Sequence, residues 1–335
     1  MLPQRPSFAG WTGTTCVVTG GLGFIGSNLV RTLVDGGAKV RVIDALVPTL
    51  GGRRDQLAGV DVDSVLIASI GDPAVADVLD GCDVIFNCAG QVSHTASMRD
   101  PQQDFALNTT SHATLLETIR HVRPSARVIY TSTRQVYGRS TVSTVDETHA
   151  ASPVDVNGVA KLAGEQLHLV YCHAYGIAAT ALRLTNVYGP RQRLSSDELG
   201  FLPVFVRKAL LGEPIEIYGD GTQRRDCLHV ADVVAALVAA AGDAAATGHV
   251  FNVGHPETHT VAEIARAVTE AAGSSAGVRL VDWPGDRARI DIGSFHTGSA
   301  RIAAALGWRA TSDLHDGLCD TIAFYREHPW YLSST

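Results

Sequence analysis

Short apolar runs alternate with segments of helical periodicity through the first half of the chain. The runs Thr15–Val18, Lys39–Ile43, Val65–Ala68, Asp83–Asn87, Arg127–Tyr130 and Ala178–Leu184 have the length and apolar character of buried strands. Phe24–Leu33, Pro101–Arg120 and Asn157–Tyr175 instead repeat at helical spacing, as with Phe105, Leu107, Leu115, Leu116 and Ile119 in the second of them. Strand and helix in alternation predict an α/β fold built on a doubly wound parallel sheet. After Thr185 the pattern changes, because Gly189-Pro190 and Gly212-Glu213-Pro214 interrupt shorter elements. Phe201–Leu211 reads as a helix, Ile215–Tyr218 as a strand, Gly219-Asp220-Gly221 as a tight turn and Ala231–Ala241 as a buried helix. Thr260 and Glu263 form a capping box ahead of a helix over Val261–Glu270, and Asp313–Tyr325 ends the chain as an amphipathic helix.

The first strand runs into Thr19-Gly20-Gly21-Leu22-Gly23-Phe24-Ile25-Gly26 and the first helix. Glycines at 20, 23 and 26 permit a sharp turn, bring bare backbone against a pyrophosphate and let the helix pack tightly on the strand, its N-terminus facing the phosphates. The second strand ends in Asp44, where an acidic side chain can bind both ribose hydroxyls of a dinucleotide. Gly20, Gly23, Phe24, Ile25, Gly26 and Asp44 are therefore candidate cofactor-binding residues. So is Ala89, since the small residues Cys88-Ala89-Gly90 after the fourth strand let backbone approach the same ligand. The loop Ala45–Gly59 carries Arg53 and Arg54, but Asp44 followed by Ala45 would repel a ribose phosphate, which favours NAD over NADP. The division expected is a Rossmann domain at residues 1–184, with later segments returning to it, and a smaller substrate-binding portion at 185–335.

The 335 residues, 45% of them hydrophobic, suffice for a large core. A formal net charge of −7 without a long basic run argues against a nucleic-acid or acidic-membrane surface, while leaving room for a local anion site. No run is long enough to span a bilayer and residues 1–13 hold no signal-peptide core, so a cytoplasmic protein is expected. The six scattered cysteines include no C-x-x-C pair, which predicts buried reduced thiols and no metal site.

Five blocks, in order, carry a resemblance across nearly the whole chain. They are Thr19–Gly26; Ser132-Thr133 before Val136-Tyr137-Gly138; Lys161–Glu165; Arg183–Arg191; and Gly219–Asp226 with His229-Val230. The chain resembles the extended short-chain dehydrogenase/reductase family, in particular its nucleotide-sugar epimerases, dehydratases and decarboxylases. The resemblance implies NAD, a nucleotide-diphosphate sugar as partner, and a homodimer formed by the helices at Pro101–Arg120 and Asn157–Tyr175. It also implies that Thr133 orders a substrate hydroxyl, that Lys161 binds the nicotinamide ribose and that Asn108 belongs to the cofactor site. Asn186 and Arg225 would bind the diphosphate, and the loop of His94 would touch substrate.

The departures are specific. The family places a catalytic tyrosine four residues before the lysine, and here Asn157 stands there, flanked by Val156 and Gly158. An amide cannot exchange a proton at neutral pH. Three accounts stay open: another base, Tyr137, His94 or Lys161 through a water; binding without turnover; or a keto-sugar substrate that is reduced or epimerised beside its carbonyl. Asn157 keeps its place in the catalytic set with Thr133 and Lys161. The acid pair used by dehydratases after the threonine is replaced by Arg134-Gln135, which turns the expectation from a 4,6-dehydratase toward an NAD-dependent epimerase. In Trp283-Pro284-Gly285-Asp286 a tryptophan replaces a diphosphate-gripping arginine, so Arg287 or Arg289 would substitute, or Trp283 would stack on the base.

Overall fold

The computed structural model describes residues 10–48, 50–195 and 200–332. Six strands of the central sheet are β1 (Thr15–Thr19), β2 (Lys39–Asp44), β3 (Ser64–Ile67), β4 (Val84–Asn87), β5 (Arg127–Thr133) and β6 (Ala179–Leu184). The seventh, Val250–Val253, comes from far along the chain and pairs with β6, giving the order 250–253, β6, β5, β4, β1, β2, β3. All six pairings are parallel. Because β1 is followed by β2 on one side and by β4 on the other, the winding reverses beside it, and a crevice opens at the carboxyl ends of β1 and β4.

Helices cover both faces, which is why the strands read as nearly continuous apolar runs. On one face Leu29, Val30 and Leu33 of the helix Phe24–Asp35 and Val233, Leu237 and Ala240 of Val230–Gly242 join Val18, Phe86 and Leu182. On the other, Leu115, Leu116 and Ile119 meet Val17, Ile85 and Val128. A second core, gathered around Tyr188, Phe205, Ile217, Ile264, Leu318 and Tyr325, belongs to the later residues.

The helix expected at Pro101–Arg120 is not uniform. It runs as α-helix over Pro101–Phe105, widens to a π-helical turn over Ala106–Thr110, and resumes as α-helix over Ser111–Val122. Such a turn inserts a residue and re-aims the side chains around it, here Asn108. The long helix Val156–Tyr175 starts at an Asp155 cap, whose carboxylate accepts from Gly158 N at 2.7 Å, and stops at left-handed Gly176. The capping box forms as read: Thr260 Oγ1 accepts from Glu263 N at 3.1 Å and Glu263 Oε2 from Thr260 N at 2.7 Å. Two expectations need correction. Val92–Thr95 is not simply loop, since His94 opens a helix, His94–Arg99, capped by Ser93. Nor are all the thiols buried: all six are free, but Cys319 is exposed and Cys88 and Cys172 are half-buried. Among the described residues no helix is long and apolar enough to cross a membrane, and no cluster of His, Cys, Asp and Glu is arranged to hold a metal ion. Most of the N-terminal segment read for a signal peptide lies outside the described residues.

Candidate functional site

The glycine turn fits the dinucleotide reading at the level of single atoms. Gly20 has φ 65°, and a Cβ there would lie 2.9 Å from Ala89 N. A Cβ at Gly26 would fall 2.1 Å from the carbonyl oxygen of Gly20, so the helix can approach the turn only without it. Gly23 caps that helix with no side-chain bond, and no acidic residue stands in its first turn, leaving its N–H groups open to an anion. Gly20, Gly23, Phe24, Ile25, Gly26, Asp44 and Ala89 all line one cavity of about 180 Å³. There the Asp44 carboxylate accepts from Leu22 N at 2.9 Å and Leu46 N at 2.8 Å. Burial raises its pKa against the pull of these two bonds. Arg53 is turned to the surface, paired with Asp55 at 2.7 Å and laid over the Tyr331 ring.

Asn108 is not among the residues lining that cavity. Its amide is spent at both ends on Gln91, accepting from N at 3.0 Å and donating to O at 3.1 Å, so it fixes the backbone after Gly90. Asn157 lies 2% exposed beside it. Its Nδ2 donates to Gln91 O at 2.9 Å and to Asp104 Oδ1 at 3.1 Å, while its N–H reaches Ser97 Oγ at 3.1 Å. The residue at the tyrosine position thus holds the Gln91 turn, and Asp104, whose pKa burial raises, is left with Oδ2 unbonded. Neither Asp104 nor Gln91 stood out in the sequence.

Lys161 is buried under the same turn. Its Nζ donates to Thr131 O at 2.6 Å and sits 4.4 Å from the centre of the Tyr130 ring. Burial lowers its pKa to about 8, with Cys88, Asp104 and Glu165 opposing. Thr133, at the end of β5, accepts from Gln135 N at 3.2 Å. Tyr137 is removed from the candidate bases: its hydroxyl donates to Asn252 Oδ1 at 2.7 Å, and burial raises its pKa. Below the sheet end, Asn87 links Thr19, His112 and His168 in a buried polar cluster that sequence spacing did not reveal.

A second cavity, of about 310 Å³, opens beyond the end of β5. His94, Asn186, Arg225 and Arg287 all line it, together with Arg134, Gln135, Tyr218 and Trp283. Trp283 and Tyr218 stand with ring centres 5.4 Å apart, and Arg287 lies over the Tyr218 ring at 5.6 Å. Arg225 is held by Asp291 at 3.2 Å. Its neighbour Asn186 donates to Asp226 O at 2.9 Å and accepts from Arg134 Nη2 at 2.9 Å.

His94 also has a carboxylate partner here. Its Nδ1 lies 2.9 Å from Asp155 Oδ2, off the line of an ideal N–H···O bond. Asp155 is wholly buried in its side chain and also accepts from Gln135 Nε2 at 2.8 Å. Burial alone would raise the Asp155 pKa, but the contact with His94 and the hydrogen bonds more than offset it, and the net shift is downward. A carboxylate behind an imidazole orients its ring, as in the arrangement that positions a general base. Asp155 did not stand out in the sequence; the structure places it as the cap of the helix, two residues before Asn157.

The family model described as "NAD dependent epimerase/dehydratase family" matches residues 16–254. A UDP-glucose 4-epimerase from Mycolicibacterium smegmatis is 32% identical over 321 residues, covering 92% of this chain and 98% of that protein. The structure of a UDP-glucose 4-epimerase from Thermotoga maritima with UDP-glucose superposes with a TM-score of 0.86 at 30% identity, covering 94% of this chain and 100% of that one. A dTDP-glucose 4,6-dehydratase from Streptomyces venezuelae with NAD bound gives a TM-score of 0.86 at 28% identity, over 96% and 100% of the two chains. NAD is accordingly the cofactor. The chain belongs to the NAD-dependent epimerase/dehydratase family.

Proposed function

We propose that the chain is an NAD-dependent epimerase of a nucleotide-diphosphate sugar, with His94, oriented by Asp155, as the base that replaces the missing tyrosine. NAD supplies a reversible hydride acceptor when bound. Gly20, Gly23 and Gly26 would admit its pyrophosphate to the helix N-terminus, Asp44 would take the ribose hydroxyls, and Lys161 would turn from Thr131 O to the nicotinamide ribose. Arg225 and Asn186 would hold the sugar diphosphate, with Arg287 and the Tyr218–Trp283 pair at its nucleotide end. Thr133 would bond the sugar hydroxyl whose proton His94 Nε2 takes and later returns. Asn157 takes part indirectly, by fixing Gln91.

The observation that carries this reading is the His94–Asp155 contact at 2.9 Å on the wall of the same cavity as Asn186 and Arg225. Elimination of water needs an acid beside the threonine. Arg134 is instead bonded to Asn186 and Gln135 to Asp155, which favours epimerisation over dehydration. Relatives in the family include both epimerases and dehydratases.

The test is incubation of the purified chain and NAD with UDP-, GDP-, CDP- and dTDP-sugars, following nicotinamide absorbance and sugar identity. Epimerised sugar without net NADH is expected, and His94→Gln should lower turnover by about 100-fold while nucleotide binding persists. A 4-keto-6-deoxy product would mean a dehydratase. No product and no NADH would favour binding without turnover, a reading that the locked Asn157 amide supports. A cytoplasmic homodimer is part of the proposal, its contact made by the helices around Phe105, Val159 and Val170, which are exposed in the single chain. Light scattering would show it.

A further inference from the structure

Three arginines crowd the carboxyl end of β5 and the cavity beyond it, and two of them have their charges met. Arg183 binds Glu165 through Nε at 2.9 Å and Nη2 at 2.6 Å. Arg225 pairs with Asp291, and its Nη atoms also donate to Gln223 Oε1 and to the carbonyls of Arg224 and Gly293. Arg134 is different. Its Nη2 donates to the neutral Asn186 amide and its guanidinium lies 5.1 Å from the centre of the Phe295 ring, but no carboxylate among the described residues pairs with it. Its Nη1 is shut off from water with no hydrogen-bond partner. Desolvation and the nearby charge of Arg225 disfavour its protonated form, and Asp226 and Asp291 offset this only in part and from beyond pairing distance.

A guanidinium N–H shut off from water, with no carboxylate in direct contact, is unfavourable unless a ligand supplies an acceptor. We propose that Arg134 receives a carboxylate carried by the sugar, so that the preferred substrate is a nucleotide-diphosphate uronic sugar. The inference rests on the nucleotide-sugar reading of this cavity. Its position supports a sugar group rather than a phosphate. Arg134 follows Thr133 directly, at the strand end where the sugar would lie, whereas Arg225 and Arg287 line the cavity from later segments and would serve the diphosphate. A neutral sugar offers that site only hydroxyls, which bond a guanidinium without neutralising it. A carboxylate oxygen gives Nη1 a charge-assisted bond.

The test is calorimetric binding of the full chain, loaded with NAD, to UDP, UDP-glucose and UDP-glucuronate, and to the corresponding GDP, GDP-mannose and GDP-mannuronate. The uronate of the nucleotide that binds should be held about tenfold or more tighter than its neutral parent. Arg134→Gln should erase that difference and leave the affinity for the free nucleotide diphosphate within about twofold, and Arg134→Lys should restore part of it. Equal affinity of the native chain for the uronate and the neutral sugar overturns the proposal. So does an Arg134→Gln protein that loses UDP, neutral sugar and uronate alike, since the guanidinium then serves the diphosphate. If the native chain binds no nucleotide diphosphate at all, the nucleotide-sugar reading itself falls, an outcome distinct from either.

Discussion

Glu165→Gln probes the buried charge pair behind the catalytic strand end. Glu165 is fully buried and Arg183 is 8% exposed in their side chains. The carboxylate accepts two bonds from the guanidinium and a third from Ser132 Oγ at 2.7 Å, one residue before Thr133. Arg183 also lies over the Tyr137 ring at 4.6 Å. Its pKa is raised: burial alone would lower it, and the bonds and charge of Glu165 more than reverse that. An amide at position 165 keeps the shape but leaves a buried guanidinium uncompensated, a change that costs about 3–5 kcal/mol. With about 2.1 cal/mol/K of unfolding entropy per residue over 335 residues, 1 kcal/mol corresponds to about 1.4 °C. Scanning calorimetry should therefore find Tm lower by about 4–7 °C. Replacing both partners, Glu165→Leu with Arg183→Met, should recover much of the loss, because no charge is then stranded. A fall below about 1 °C in the single variant would refute the reasoning, since the guanidinium would then have to be solvated or re-paired at little cost.

Gly26→Ala should abolish NAD binding in a fluorescence titration and lower Tm, because the new methyl meets the Gly20 carbonyl at 2.1 Å; affinity within about twofold of the native chain would contradict this. Lys161, whose pKa falls from 10.5 to about 8, should make the native chain gain stability with rising pH. The folded state loses the proton near 8 and the unfolded chain near 10.5, so the penalty is complete below the first value and relieved above the second. Urea titrations should show that gain in the native chain and not in Lys161→Met. Asp155→Asn should preserve the helix cap, since asparagine serves nearly as well there, yet lower turnover about tenfold or more through the lost orientation of His94. Unchanged kcat would remove Asp155 from the proposed machinery.

Local order in the sequence was enough for six of the seven strands of the sheet and for the longer helices, but not for the edge strand Val250–Val253. Apolar runs bounded by glycine and proline specify strands wherever both sheet faces are covered, and backbone sterics at Gly20 and Gly26 leave little choice of residue. The glycine turn and Asp44 are joined through adjacent strands, so their spacing along the chain carries over into space. The substrate end was less legible, because its groups come from separate stretches. His94 and Asp155 are 61 positions apart and meet only after the helices His94–Arg99 and Val156–Tyr175 pack together. Asn157 was conspicuous as an absent tyrosine, but its bonds to Gln91 and Asp104 span 66 and 53 positions, which no periodicity announced.

The sequence by itself determined the parallel α/β architecture, the dinucleotide turn and the loss of the usual phenol. Only the tertiary structure decided which guanidinium groups meet a carboxylate directly, as Arg183 and Arg225 do, and which, like that of Arg134, do not. Pairing is a matter of a few ångströms between distant segments, and residue identity alone does not encode it.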